Sequence, residues 1–143
     1  MESRGIIPDV VVMIEPTFPF RNSALIDLLV EKYCHGGFDT VIPAREDFNS
    51  CWMDNEGSFE RVDHGYIARK FKQPFYIGMK GLCCVCSPAV IRSGQIFGQN
   101  VGLYKLDELV SSLEVRTPAE ASLAEVLINS GSNLIEDQLK VAT

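Results

Sequence analysis

Long apolar runs are missing from this chain: no stretch approaches the roughly 18 residues that a membrane span requires. The five-residue run Val10–Ile14 behind Met1-Glu2-Ser3-Arg4 is too short for a signal-peptide core, so the expected compartment is the cytoplasm, with no membrane partner. Basic charge is also scarce. Thirteen Lys and Arg face nineteen Asp and Glu, and the formal net charge of −6 repels phosphate backbones, which argues against nucleic-acid partners. The cysteines number five, an odd count clustered at Cys83, Cys84 and Cys86, which excludes a secreted disulfide framework. Adjacent strand residues point to opposite faces and the spacing matches no zinc knuckle, so this cluster reads as core. There is no internal repeat. The first seven residues hold one glycine, Gly5, and nothing that wraps a phosphate with backbone N–H groups.

What is present reads as one α/β domain over residues 1–143, since 46% hydrophobic and 22% charged residues are ordinary globular proportions. Val10–Ile14 is continuous rather than alternating, which predicts a central strand buried on both faces of a mostly parallel sheet. Asn22 or Ser23 caps a helix with Leu25, Ile26, Leu28, Leu29 and Tyr33 on one face, and Gly36-Gly37 stops it. Thr40-Val41-Ile42 follows as a second strand, ended by Pro43. Residues 45–73 break this rhythm and predict a projecting arm that turns at Asp54-Asn55-Glu56-Gly57. Gly81–Cys86 returns to a buried strand, Ser87-Pro88 opens a short helix, and Val101–Tyr104 and Leu113–Val115 are further strand candidates. Thr117-Pro118-Ala119-Glu120 is a capping box for a helix running to Asn129, and residues 130–143 form a tail.

Ile14-Glu15-Pro16-Thr17-Phe18-Pro19-Phe20-Arg21 resembles the acylneuraminate cytidylyltransferase (CMP-sugar synthetase) family, whose members carry Leu-Gln-Pro-Thr-Ser-Pro-Leu-Arg after a buried strand. Lys70-Phe71-Lys72-Gln73-Pro74, Lys80-Gly81-Leu82 and Val115-Arg116-Thr117-Pro118-Ala119-Glu120 fall at later family landmarks, so the likeness spans nearly all of residues 8–129. It implies a partial Rossmann-like nucleotidyltransferase fold with the arm at 45–73 making homodimers. It also implies an acidic sugar or cytidine nucleotide as ligand, held by Glu15, Thr17, Arg21, Lys70, Gln73, Lys80 and Arg116.

Three departures from the family pattern shape the functional expectation. The nucleotide-phosphate loop has no counterpart in residues 1–7. Arg116 stands where the family has its magnesium-binding aspartate, leaving Glu114 as a lone carboxylate donor beside a guanidinium, a poor Mg²⁺ site. Glu15 and Lys80 replace neutral amides, and the two read either as ligand contacts or as an ion pair with each other. The expectation is therefore a cytidylyltransferase-like binding or interaction module, catalytically impaired alone. Its alternative is a CMP-sugar synthetase made active by a complementing chain. In either case Val10–Ile14, apolar enough to be central yet lacking flanking strands, predicts a homodimer or a heteromer. Asp63-His64 lacks a nucleophile and reads as surface or arm residues. His35 reads as a helix C-terminal residue, and Trp52 as a packing or interface anchor.

Overall fold

The computed structural model describes Gly5, residues 7–63, Gly65 and residues 67–130. β1 (Val11–Met13), α1 (Ser23–Gly36) and β2 (Thr40–Asp47) come first, then a hairpin of β3 (Trp52–Asn55) and β4 (Ser58–Arg61). β5 (Phe75–Gly78), β6 (Cys84–Cys86), α2 (Pro88–Arg92), β7 (Val101–Lys105) and α3 (Pro118–Asn129) complete the order. No helix among the described residues is long and apolar enough to cross a membrane.

The local signals act as expected. Asn22 accepts a hydrogen bond from the Ala24 N–H at 2.9 Å, opening α1, and Gly37 ends it in the left-handed conformation at φ 66°. Leu25 and Leu29 are buried, whereas Leu28 is 43% exposed and lies off the packed face. α1 packs on β2, β6 and β7, and its Leu25 and Leu29 join Phe18, Val41, Leu82, Val85 and Leu106 in the core.

The sheet itself is mixed, not mostly parallel. β2 pairs in parallel with β7, but β1 with β6, β6 with β2, and β2 with β5 are antiparallel. The strand–helix–strand spacing does run β1 and β2 in the same direction; β6 then inserts between them, a non-local pairing that spacing does not encode. This leaves β1 at an edge, with Val12 39% and Ile14 51% exposed, rather than buried on both faces. A continuous apolar run selects extended backbone but does not supply cover for both faces. Among the described residues no strand pairs with the outer edge of β1.

β2 is the hub and runs past Pro43. Thr40–Ala44 face β7 on one edge; on the other, Thr40 and Val41 face β6 and Ala44–Asp47 face β5. The Pro43 carbonyl accepts from the Met79 N–H at 2.8 Å, so its backbone points to the edge where β6 gives way to β5. The N–H that proline lacks falls at that gap, and no ladder bond is lost. β5 was not expected, and Leu113–Val115 is not a strand: a one-turn 3₁₀ helix at Val110–Ser112 leads into extended chain there.

The arm turns where the sequence places it, at Glu56-Gly57, with φ of 52° and 88° and Asp54 Oδ1 accepting from the Gly57 N–H at 2.9 Å. Trp52 does not pack on the core; it is 55% exposed, with the Arg61 guanidinium 5.7 Å from its ring. The base of the arm is tied by Asp63, whose solvent-inaccessible carboxylate accepts from Arg61 and, at 2.7 Å, from Lys72. Lys72 also donates to the Asn49 carbonyl at 2.9 Å. Asp63 is therefore part of a buried ion cluster and not a surface residue, while His64 and the tail from Gly131 lie outside the described residues.

Candidate functional site

The segment after β1 is a rigid turn because its backbone is stitched to the loop between β5 and β6. The Glu15 N–H donates to the Gly81 carbonyl at 2.8 Å. Arg21 donates to the carbonyls of Leu82 at 2.6 Å, Gly81 at 3.3 Å and Glu15. The Val115 N–H donates to the Thr17 carbonyl at 2.8 Å, fastening the chain before α3 to the same turn. Gly81 is required there: a Cβ would come within 2.8 Å of the Glu15 carboxyl carbon and 2.9 Å of the Phe18 ring.

This turn forms one side of an open cleft of about 770 Å³. Glu15 and Phe18 line it from the turn; Ile77, Met79 and Lys80 from β5 and its loop; Arg45 from β2. The segment before α3 and α3 itself add the apolar side chains of Leu109, Leu113, Leu123 and Leu127 together with the polar Glu114, Arg116 and Glu120. α3 starts at the cleft because its capping box is complete: the Glu120 N–H donates to Thr117 Oγ1 at 3.3 Å, and Glu120 Oε2 accepts from the Thr117 N–H at 2.8 Å. The Glu120 carboxyl is held below its usual range, first by the Arg116 N–H at 2.8 Å and then by Thr117.

Arg116 lies at the rim between two carboxylates. Its Nη2 is 2.9 Å from Glu15 Oε2 and its Nε 2.5 Å from Glu114 Oε1. Glu15 therefore pairs with Arg116 and not with Lys80, which lines the cleft with no hydrogen bond or ion pair among the described residues. The guanidinium offers two donors to two acceptors, geometry that an ammonium on the neighbouring loop does not match. Glu114 is occupied by Arg116, and no three His, Cys, Asp or Glu side chains among the described residues converge to hold a metal.

Of the residues singled out from the sequence, Glu15, Lys80, Arg116 and Glu114 come together in the cleft. Arg21 does not line the cleft; its guanidinium donates to the backbone carbonyls of Glu15, Gly81 and Leu82. Thr17 does not line the cleft, and its hydroxyl is buried without a hydrogen-bond partner. Gln73 lies beyond the far end of β5, on the order of 13 Å of extended chain from Ile77; Lys70 lies further back, in a 3₁₀ turn at Arg69–Phe71, 4.7 Å over the Phe71 ring. Arg45 was missed, because ending the second strand at Ile42 hides that β2 carries Arg45 opposite Ile77.

A smaller cavity of about 170 Å³ lies on the other side of Glu15 and Lys80, lined also by Met13, Ile14, Cys84 and Ile96. Burial pushes the Cys84 thiol up to about 12 and the Cys83 thiol up to about 11, so both stay protonated at neutral pH. Cys83, Cys84 and Cys86 are core, as their clustering on a strand suggests. A scan against protein-family models finds no match, and a search of the curated proteins finds no relative of this chain.

Proposed function

We propose that this chain is a ligand-binding relative of the CMP-sugar synthetases, with a partial nucleotidyltransferase-type fold, that holds an acidic sugar or a cytidine nucleotide without turning it over. The observation that carries this reading is Arg116. At the position where the family resemblance places a metal-binding aspartate stands a cation that spans Glu15 and Glu114 at the rim of a sugar-sized cleft. Such a rim can bind an anion or a polyol but cannot present a carboxylate pair to a metal-bound triphosphate. The Pro16-Thr17-Phe18-Pro19-Phe20-Arg21 turn beside that cleft supports the same ancestry, and its stitching limits the entropy lost on binding.

The test is a thermal-shift series with CMP, CTP and N-acetylneuraminic acid, with and without Mg²⁺. A ligand at a hundred times its dissociation constant adds about 2.7 kcal/mol to stability. One of the three is expected to raise the unfolding midpoint equally with and without Mg²⁺, and Lys80→Glu to remove the shift. No shift with any of them at millimolar concentration rejects the reading; CMP-sugar formation from CTP by this chain alone rejects its non-catalytic part.

The open edge of β1 favours a second element of the proposal, association with another chain, either a second copy or a complementing one. Its strand residues carry no charge to discourage edge pairing. Light scattering at micromolar concentration is expected to give a mass above 15.9 kDa for the pure chain if the partner is a second copy. Sharp monomeric behaviour, unchanged by Val12→Lys, excludes self-association at this edge.

A further inference from the structure

Four cations bear on the cleft and its turn, and two of them are already engaged. Arg21 serves three carbonyls, and Arg116 serves two carboxylates. Lys80 has no hydrogen bond or ion pair among the described residues. Arg45 has one weak ionic contact, to Asp47 at 4.0 Å, and its side chain is 51% exposed. Arg45 sits on β2 directly across from Ile77, and both side chains line the cleft. The carboxylates that line the cleft are already matched: Glu15 and Glu114 by Arg116, Glu120 by the capping N–H groups. The cleft thus keeps unspent positive charge on Arg45 and Lys80, while its carboxylates already have partners.

We infer that Arg45, together with Lys80, is the anion-recognising residue of this cleft and sets a preference for an acidic ligand over its neutral counterpart. The inference rests on the proposed reading that the cleft holds an acidic sugar or a cytidine nucleotide. It reassigns the anion contact from Arg21 and Arg116, which already serve acceptors of the protein, to the guanidinium whose ionic contact is the 4.0 Å approach to Asp47. A planar fork matches a carboxylate or phosphate bidentately, and the β-strand under Arg45 fixes where that fork starts. Lys80 adds a point charge from the loop.

The test uses ligand pairs that differ in one anionic group: N-acetylneuraminic acid against its methyl ester, and CMP against cytidine. Binding is measured by calorimetry on the full chain carrying Arg45→Gln, Arg45→Lys or, as a control away from the cleft, Lys70→Gln. The wild type is expected to prefer the acidic member of a pair by about tenfold or more, the worth of a charge-assisted hydrogen bond. Arg45→Gln is expected to weaken the acidic member about tenfold and leave the neutral one unchanged, so the preference collapses. Arg45→Lys retains part of it, and Lys70→Gln retains all of it. Wild-type affinity for the acidic member in Arg45→Gln overturns the assignment, as does an equal loss for both members, which marks a packing role. A wild type that binds none of the four compounds removes the ligand reading of the cleft itself, a result distinct from either of those. Circular dichroism and an unchanged unfolding midpoint confirm that the exposed substitution leaves the fold intact.

Discussion

Arg21→Ala is expected to lower the unfolding midpoint by on the order of 10 °C. The guanidinium supplies donors to the carbonyls of Glu15, Gly81 and Leu82, and Gly81 and Leu82 are buried. Alanine fills none of that space with a donor. The Gly81 carbonyl keeps the Glu15 N–H, so the loss falls mainly on the enclosed Leu82 carbonyl, and an enclosed carbonyl without its partner costs about 1–3 kcal/mol. For a domain of this size each kilocalorie shifts the midpoint by roughly 3–4 °C. Scanning calorimetry of Arg21→Ala and Arg21→Lys separates this from a charge effect. Lysine keeps the charge, reaches one or two of the carbonyls and gives an intermediate midpoint. A midpoint for alanine within about 2 °C of wild type shows that Arg21 is not what ties the turn to the loop after β5.

Asp63→Asn is expected to lower the midpoint by several degrees at pH 7 and to lose that effect in acid. Hydrogen bonds from Arg61 and then Lys72 hold the Asp63 carboxyl well below the usual carboxylate range. Lys72 is itself almost fully enclosed, at 6% side-chain exposure, so asparagine leaves a buried ammonium without its counter-charge. The folded pKa lies below the unfolded one. The stabilisation is therefore complete above the unfolded value of about 3.9, starts to shrink below it, and is fully lost only once pH passes the still lower folded pKa. The two unfolding midpoints, measured by circular dichroism from pH 7 down to pH 3, should begin to approach each other at the acid end. A constant gap across that range points to packing instead of charge; no gap at pH 7 shows that the cluster does not anchor the arm.

The sequence carries its local rules legibly. Asn22, Ser87 and Thr117 each cap the helix they are expected to cap, Gly37 ends α1, and the arm reverses at Glu56-Gly57. Cys84–Cys86 is a buried strand because cysteine and valine suit an extended core segment. What is not legible is pairing between distant segments. Nothing near Val10–Ile14 announces that β6 will be its neighbour, and nothing near Pro43 announces that the strand survives because the partner changes there. The Phe75–Gly78 strand alternates poorly, with three of its four residues exposed, so its signal is weak in isolation. The site follows the same division. Its ionic residues can be enumerated from sequence, but which cation meets which acceptor depends on the fold, and this is why Arg21 and Arg116 are spent internally while Arg45 is not.

Asp47 and Phe75 stand directly opposite each other in the β2–β5 ladder, and Lys72 reaches back to Asn49. Residues 48–74 therefore leave the sheet and rejoin it at the same doorway. Topologically they are a splice into an ordinary two-strand reversal, closed on itself by Asp63 and contributing no strand to the main sheet. Evolution can lengthen, shorten or redecorate that detour without re-registering β2, so the cleft and the appendage are free to diverge at different rates.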